Sequence, residues 1–480
     1  MIPAPTDNRE ERDVPVTRRP NVLVVLTDQW RAQATGYAGD ENVSTPVLDT
    51  LAAESVNFTE AVSGTPVCCP ARASMLTGQY PLQHGVYIND VELEPTGSTL
   101  AEEFATAGYR TGYIGKWHLY GSPDGNYGRR KLPVPREKRF GFEYWKAAEC
   151  THNYNSSLYF HGDDPQPKTW PGYDAHAQTE DACGFIAQNS AGEDPYFLML
   201  SYGPPHFPLH TAPQEYRQRY TDAEITLRAN VPDEAAQESA QALRGYYAHI
   251  AALDDCLAQL LAAVENSGTA EDTIIIFASD HGDMMGSHGI RHDVKVCPWD
   301  EAVRVPMLVR YPRRFGREGR TDTSPFDMPD LMPTLLGLCG LPVPGHVTGT
   351  DVFGTRPAHR AHSSFLSLPV PILWARSYGF DAYRGIRTAT HTYIRTRTSP
   401  WLLYDNVADP YQQQNLCGQP EATGLQRDLD AELNHWLADL DDDFAPPETY
   451  LHADGLEHYF EVNTPVGTPP ADSSITPVGQ

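Results

Sequence analysis

Asn21-Val22-Leu23-Val24-Val25-Leu26-Thr27 is an unbroken apolar and β-branched run that stops at Asp28-Gln29. Without alternation of polar and apolar residues, such a run reads as a strand buried on both faces. That is the pattern of a parallel sheet covered by helices. Outward from it the pattern repeats. Residues 196–201 (YFLMLS) and 273–279 (TIIIFAS) are equally apolar, and 110–115 and 305–311 read as shorter strands. Helical stretches lie at 45–55, 98–108, 234–265 and 327–338. The second of these is expected to be capped by Ser98, with Glu102 four residues on, and closed by Gly108. Strands alternating with helices specify an α/β fold with a large, mostly parallel sheet flanked by helices.

The C-terminal part reads differently. Residues 383–396 alternate as an antiparallel strand does, and 425–440 form an amphipathic helix. From residue 441 the chain turns acidic and Pro-rich. The expected organisation is a polar extension (1–19), a catalytic domain (20–365), a small C-terminal subdomain (366–445) and a tail (446–480), in keeping with a length of 480 residues.

Asp and Glu number 63 against 36 Lys and Arg, a net charge of −27, which repels nucleic acid and anionic membranes. A small anionic group remains admissible in a locally basic pocket. No long apolar run and no apolar N-terminal core are visible, and the eight cysteines lack framework spacing. These features predict a cytoplasmic protein without a signal peptide or membrane span.

Reactive residues follow the strands. The expected strand ends carry Asp28-Gln29, Gly115-Lys116-Trp117-His118, Gly203-Pro204-Pro205-His206 and Asp280-His281-Gly282-Asp283. Singly, a strand-end Asp is more often a turn residue and a lone His a satisfied core residue. In an open α/β sheet, however, ligands bind beyond the carboxyl ends of the strands, so parallel strands would gather all four groups on one rim. The segment 65–78, TPVCCPARASMLTG, adds a thiol. Pro70 suits the first turn of a helix and Gly78 its end, so Cys68 is expected just before a helix N-terminus, where free amides favour a developing anion.

Cys68, Pro70, Arg72, Thr77 and Gly78 together resemble the signature of type I sulfatases, in the alkaline phosphatase superfamily. Asp28, the Gly115–His118 string, His206, the Asp280-His281 pair and Lys295 resemble landmarks of the same family. So do Trp401 to Pro410 and Asn415-Leu416 near the end. The resemblance implies an alkaline-phosphatase-like sheet with a small C-terminal antiparallel sheet-and-helix subdomain. It implies that Cys68 is oxidised to Cα-formylglycine by a separate formylglycine-generating enzyme. It implies one divalent cation, Ca²⁺ before Mn²⁺ or Mg²⁺, held by Asp28, Asp280, His281 and the modified Cys68, with Gln29 as a weaker ligand. Many relatives have Asp-Asp and Asp-Asn where this chain has Asp28-Gln29 and Asp280-His281, and an imidazole ligand shifts preference toward softer ions.

The implied chemistry is sulfate ester hydrolysis. A hydroxyl of the hydrated aldehyde attacks sulfur, and a covalent sulfate hemiacetal then releases sulfate. Arg72, expected to bond back to the modified side chain, supplies positive charge with Lys116 and Lys295. His206 is expected to protonate the leaving oxygen and His118 to deprotonate the second hydroxyl. Lys116 would orient the diol and Lys295 hold the sulfate. Trp117 and Trp299 are expected to pack, and Asp283, His288, His292 and Asp293 to be solvated rim residues. The substrate is expected to be a small sulfate monoester of carbohydrate or aryl type, held by loops at 86–90 and 149–154. Two alternatives are a phosphonate monoester or phosphodiester hydrolase, which shares the Asp-Gln and Asp-His pairs, and an inactive binding protein. Lys116-Trp117-His118 favours the sulfatase over the first, and the complete set of site residues opposes the second.

Overall fold

The computed structural model describes residues 19–122, 127–371 and 373–458. In the N-terminal half its strands are β1 (Asn21–Asp28), β2 (Val56–Phe58), β3 (Ala61–Val62), β4 (Arg110–Lys116), β5 (Tyr144–Ala148), β6 (Leu158–His161), β7 (Lys168–Thr169) and β8 (Tyr196–Pro205). There follow β9 (Thr273–Ser279), β10 (Met307–Arg310), β11 (Arg320–Asp322) and β12 (Phe326–Asp327). The last four are β13 (Ser363–Leu368), β14 (Tyr383–Thr388), β15 (His391–Thr396) and β16 (Pro400–Asp405).

The apolar run that opens at Asn21 is the fifth strand of a ten-stranded sheet ordered β11-β2-β10-β9-β1-β8-β4-β5-β6-β7. Its neighbours β8 and β9 both run parallel to it, with Val24 opposite Met199 on one side and Ile276 on the other. Strands β4 and β5 continue the parallel block. Antiparallel pairs lie outside it, β10 on β9 and β6 on β5, so the sheet is mixed and mostly parallel through its centre.

The helices that matter for the site are α1 (Pro46–Ala53), α2 (Cys68–Thr77), α3 (Pro81–His84), α4 (Leu100–Thr106), α5 (Asp174–Ser190), α6 (Gln214–Tyr220) and α7 (Ala236–Asn266). Because side chains alternate along a strand, each central strand feeds two cores. Val22, Val24 and Leu26 pack with α2, α4 and the helix Leu331–Leu338. Leu23 and Val25 pack with α1, α5 and α7 on the opposite face. Each such Val or Leu contributes roughly 1.5–3 kcal/mol by burial, so the double-sided run accounts for the sheet's centre.

Several expectations shift. The helix expected at 98–108 starts at Leu100, and its cap is Thr99, not Ser98: Glu102 reaches back to the Thr99 amide at 2.8 Å, three residues away. The strand expected at 305–311 runs antiparallel to β9. The single strand read at 383–396 is a hairpin, β14 and β15, within a four-stranded antiparallel sheet covered by the helix Thr423–Asp439. The segment from 441 is not simply a tail: Pro447–Ala453 is helical and Leu451 is buried in the main core. Residues 459–480 lie outside the described part. A long apolar stretch also exists. The helical segment Asp233–Asn266 has the length and composition to cross a membrane, but 67% of its most apolar window is buried inside the protein.

Candidate active site

The parallel centre of the sheet brings the expected groups together. β1 ends in Asp28 with Gln29 beyond it, β4 ends in Lys116, β8 hands on to His206, and β9 to Asp280 and His281. The first turn of α2 brings Cys68 and Arg72 to the same rim, and the irregular segment after β9 adds Lys295. All are buried, Lys295 being the most exposed at 8%. Local backbone explains two placements. Gly115 has φ +105°, and a Cβ there would lie 2.0 Å from the Ser201 carbonyl oxygen, so only glycine lets β4 turn Lys116 inward against β8. Gln29, at φ 69°, is held left-handed, its amide N–H on Asp280 Oδ1 at 3.1 Å.

Cys68 is the first residue of α2, one position deeper than expected, and Gly78 closes the helix at φ 66°. The thiol stands where the hydroxyls of a hydrated aldehyde would be. Its Sγ lies 3.2 Å from His281 Nε2, 3.3 Å from Lys295 Nζ and 4.0 Å from Asp28 Oδ1. Arg72 does not bond back to Cys68. Its guanidinium spans Asp28 Oδ2 (3.1 Å), Asp280 Oδ2 (3.0 Å), Ser201 Oγ (2.7 Å) and the Lys116 carbonyl (3.1 Å). Lys116 Nζ also donates to Asp28 Oδ2. Lys295 Nζ reaches Gln29 Oε1 (3.1 Å) and His206 Nε2 (3.0 Å), while His206 Nδ1 faces the Phe207 carbonyl at 3.0 Å.

A divalent cation fits this donor set. One ligand atom from each of Asp28, Cys68, Asp280 and His281 lies within 4.8 Å of the others, and all four residues are buried. His281 Nδ1 is tied to the Gly282 carbonyl at 2.9 Å, which turns Nε2 toward Asp28 (3.7 Å) and Asp280 (3.6 Å). Such an outer hydrogen bond fixes the tautomer that ligates metals. Gln29 could add its amide oxygen.

Charge states follow from burial and neighbours. Burial and Cys68 would raise Asp28, yet Lys116 and Arg72 hold its carboxyl well below the usual range. Burial and the Asp28 charge push Asp280 up. Burial opposes ionisation of the Cys68 thiol, but Lys116, Lys295 and His281 bring it well below a free thiol. Burial and Lys295 push His206 far down, so its ring is neutral and accepts from Lys295. Burial also disfavours charge on His118, but the ionised Cys150 sulfur and Asp90 outweigh it and push the ring well above an ordinary imidazole.

His118 reaches the network from the side of Cys68 and Cys69, whose thiols it pulls down against the lift of burial. Neither ring nitrogen makes a hydrogen bond, and Nε2 is 3.7 Å from Asp90 Oδ1. Its placement depends on a residue that sequence reading left in a loop. The Glu149 carboxylate accepts from the amides of Leu119 (3.2 Å), Tyr120 (3.0 Å) and Gly121 (2.8 Å), while its carbonyl accepts from His118 N at 2.7 Å. Burial pushes Glu149 up to about 7. Asp90 in turn is gripped by Arg130 at 2.9 and 2.7 Å. Asp283 is fully buried, not a rim residue: Gln29 Nε2 donates to it, as does the Asp293 amide at 3.0 Å. Of the other expected rim residues, His288 stacks on Trp299 at 4.8 Å; Trp117, expected to pack, is enclosed by Tyr113, Phe140, Phe142 and Trp145.

The sequence profile of the sulfatase family matches residues 20–341, and that of the C-terminal part of N-sulphoglucosamine sulphohydrolase matches 286–439. An ulvan-active sulfatase of Formosa agariphila is 44% identical over 92% of this chain and 85% of its own length. An endo-4-O-sulfatase of Bacteroides thetaiotaomicron is 31% identical over 88% of this chain and 92% of its own. The crystal structure of yidJ from Bacteroides fragilis superposes with a TM-score of 0.79 at 28% identity, covering 90% of this chain and 97% of that one. With the convergent rim, these likenesses lead to one conclusion: the chain belongs to the sulfatase family and is a sulfuric ester hydrolase.

Proposed function

We propose that this sulfatase removes sulfate from a sulfated sugar, using a formylglycine made from Cys68 by a formylglycine-generating enzyme and a divalent cation held by Asp28, Gln29, Asp280 and His281. The observation that carries the reading is the position of Cys68 Sγ, in contact at once with His281 of the cation set and with Lys295. Names of relatives that act on ulvan or on 4-O-sulfates support a carbohydrate ester over an aryl ester. When present, the cation would supply Lewis acidity toward a sulfate oxygen, and the hydrated aldehyde a hydroxyl nucleophile.

The chain's own residues do the rest. Arg72 fixes the two carboxylates against each other, so they present lone pairs in one direction. Lys116 and Lys295 balance the charge of the sulfate. The proton for the leaving oxygen is assigned to the Lys295–His206 pair: His206 is neutral, and the proton that it would pass on sits on Nζ 3.0 Å away. His118 is assigned the proton of the second hydroxyl. Since it is charged in the free site, that role requires it to lose its proton first, and turnover should rise with pH as it does.

Peptide mass spectrometry across residue 68, with turnover measured on sulfated mono- and oligosaccharides beside 4-nitrophenyl sulfate, tests the reading. Aldehyde at residue 68 and preference for sugar sulfates are expected. An unmodified thiol in active enzyme would sink it.

A further inference from the structure

Beside the reaction centre lies a groove of about 730 Å³ that the chemistry above leaves unused. Its volume is within the range of small-ligand sites. One wall begins at Phe207, whose ring lies 4.2 Å from that of His206. The other ends at Asp293, whose amide donates to the Asp283 carboxylate that also holds Gln29. The groove therefore opens from the leaving-group side of the proposed site. Its floor is small, with Ala242 and Gly245 of α7.

Its cations stand out in a chain of net charge −27. Arg217 on α6 is exposed and, among the described residues, its guanidinium makes no ion pair or hydrogen bond. Arg244 on α7 is half-buried and pinned by the Ala223 carbonyl through Nε (3.1 Å) and Nη2 (3.0 Å), with no partner on Nη1. His292 Nδ1 has no hydrogen-bond partner, and the exposed Glu238 is 3.5 Å from it. The other acid, Asp293, is already held by Arg291 at 3.2 and 2.8 Å. In a chain of net charge −27, two guanidiniums kept short of carboxylate partners make an anion site.

We infer that this groove binds a second anionic group, a carboxylate or a second sulfate ester, on the sugar linked to the one being desulfated, with Arg217 and Arg244 as its specificity-determining residues. The inference rests on the sulfated-sugar reading above. It gives the enzyme a preference for oligosaccharides that carry a second anion on the sugar next to the sulfated one. The sulfate is addressed by the rim and the neighbour by α6 and α7.

Three probes of one backbone test it. One carries a hexuronate beside the sulfated sugar, one is its carboxyl-reduced counterpart, and one has a second sulfate in place of the carboxylate. The measured quantity is kcat/KM for each anionic probe divided by that for the reduced one. In the native protein the ratio should exceed one for at least one anionic probe, and the larger ratio identifies the group. In Arg217→Ala and Arg244→Ala it should fall toward one, by up to roughly 10-fold for the loss of one solvent-screened charge-assisted hydrogen bond. Arg217 is exposed, so Arg217→Ala carries the test if Arg244→Ala fails to fold. Equal rates on all three probes in the native protein, or an undiminished ratio in Arg217→Ala, would overturn the inference. If the native protein cleaves no sulfate ester, the sulfated-sugar reading fails instead. Calorimetric binding of the same probes to Cys68→Ala protein then decides the groove. Tighter binding of an anionic probe, lost in Arg217→Ala, upholds it, and equal binding of all three ends it.

Discussion

Cys68 and Cys69 are neighbours with opposite surroundings. Cys68 Sγ faces His281, Lys295 and Asp28, whereas Cys69 Sγ accepts the Asp90 amide at 3.3 Å and packs in the main core. Cys68→Ala should therefore abolish turnover, and Cys69→Ala should keep most of it at a stability cost of about 1 kcal/mol, typical of a small buried truncation. Steady-state rates and urea melts of both variants check this, and equal losses of rate would mean that the thiols act as a pair. Asp28→Ala and Asp280→Ala should each empty the proposed cation site, since each deletes one of few carboxylates and leaves Arg72 with an unbalanced charge. Elemental analysis showing full metal content in either variant refutes the ligand set. The residues that converge here were legible because they follow apolar runs in the sequence. The hydrogen bonds of Arg72 were not: helical spacing placed it near Cys68, but its partners come from β1, β4, β8 and the residue after β9, more than one hundred residues away in two cases. Glu149 was less legible still, since its role depends on three backbone amides and no pattern of side chains marks them.

At the scale of elements, the strands buried on both faces were the easiest to read, and the hairpin of β14 and β15 the hardest. Its turn at Ala389-Thr390 has none of the Gly, Asn or Asp that marks a short hairpin, and the alternation runs straight through it. The beginning of α5 offers a test by pH. Asp174 is buried, its Oδ1 has no hydrogen-bond partner, and burial pushes it from 3.8 up to about 7. A carboxyl raised on folding stays protonated in the folded state while it ionises in the unfolded chain. Its contribution is thus complete below about pH 4 and is lost as pH rises through 7. About three pH units at 1.36 kcal/mol each set a ceiling near ~4 kcal/mol. Asp174→Asn should flatten that slope, with little change at pH 4 and a gain at pH 8. Urea unfolding across pH measures it, and an unchanged slope would show that water or a cation satisfies the carboxylate. The loop after β4 has its own expectation. Glu149→Gln turns one of the two acceptor oxygens into a donor facing an amide. It should cost roughly 1–3 kcal/mol and lower kcat more than it raises KM, as expected when a positioned histidine loosens.

Over the whole molecule, the C-terminal sheet is fastened to the part that carries Lys295. Arg387 of β14 grips Asp300 at 2.8 and 3.0 Å and also donates to Glu60, while the Trp299 indole lies 3.3 Å from the Tyr404 hydroxyl. Burial would raise Asp300, but Arg387 and Arg304 hold it at about 2. Arg387→Ala would leave the buried Asp300 with only Arg304 and take the cation from Glu60, a loss of roughly 1–3 kcal/mol. A thermal melt should show one lowered transition for both parts. Two separated transitions would mean that the sheets are independent.

The depth of residue 68 has a consequence in time. The Cys68 side chain is 1% exposed, closed in by His281 after β9 and by Lys295. If residue 68 is the formylglycine proposed above, a modifying enzyme could not reach it once those parts are in place, so conversion would have to precede folding, most simply while the chain is being made. Residue 280 follows residue 68 by 212 positions (280 − 68). At about 5–20 residues per second of synthesis, that leaves on the order of 10–40 s before those groups can close in. A chain that misses this interval would fold just as well and stay inert, so a preparation's specific activity would record the history of its synthesis as much as its structure.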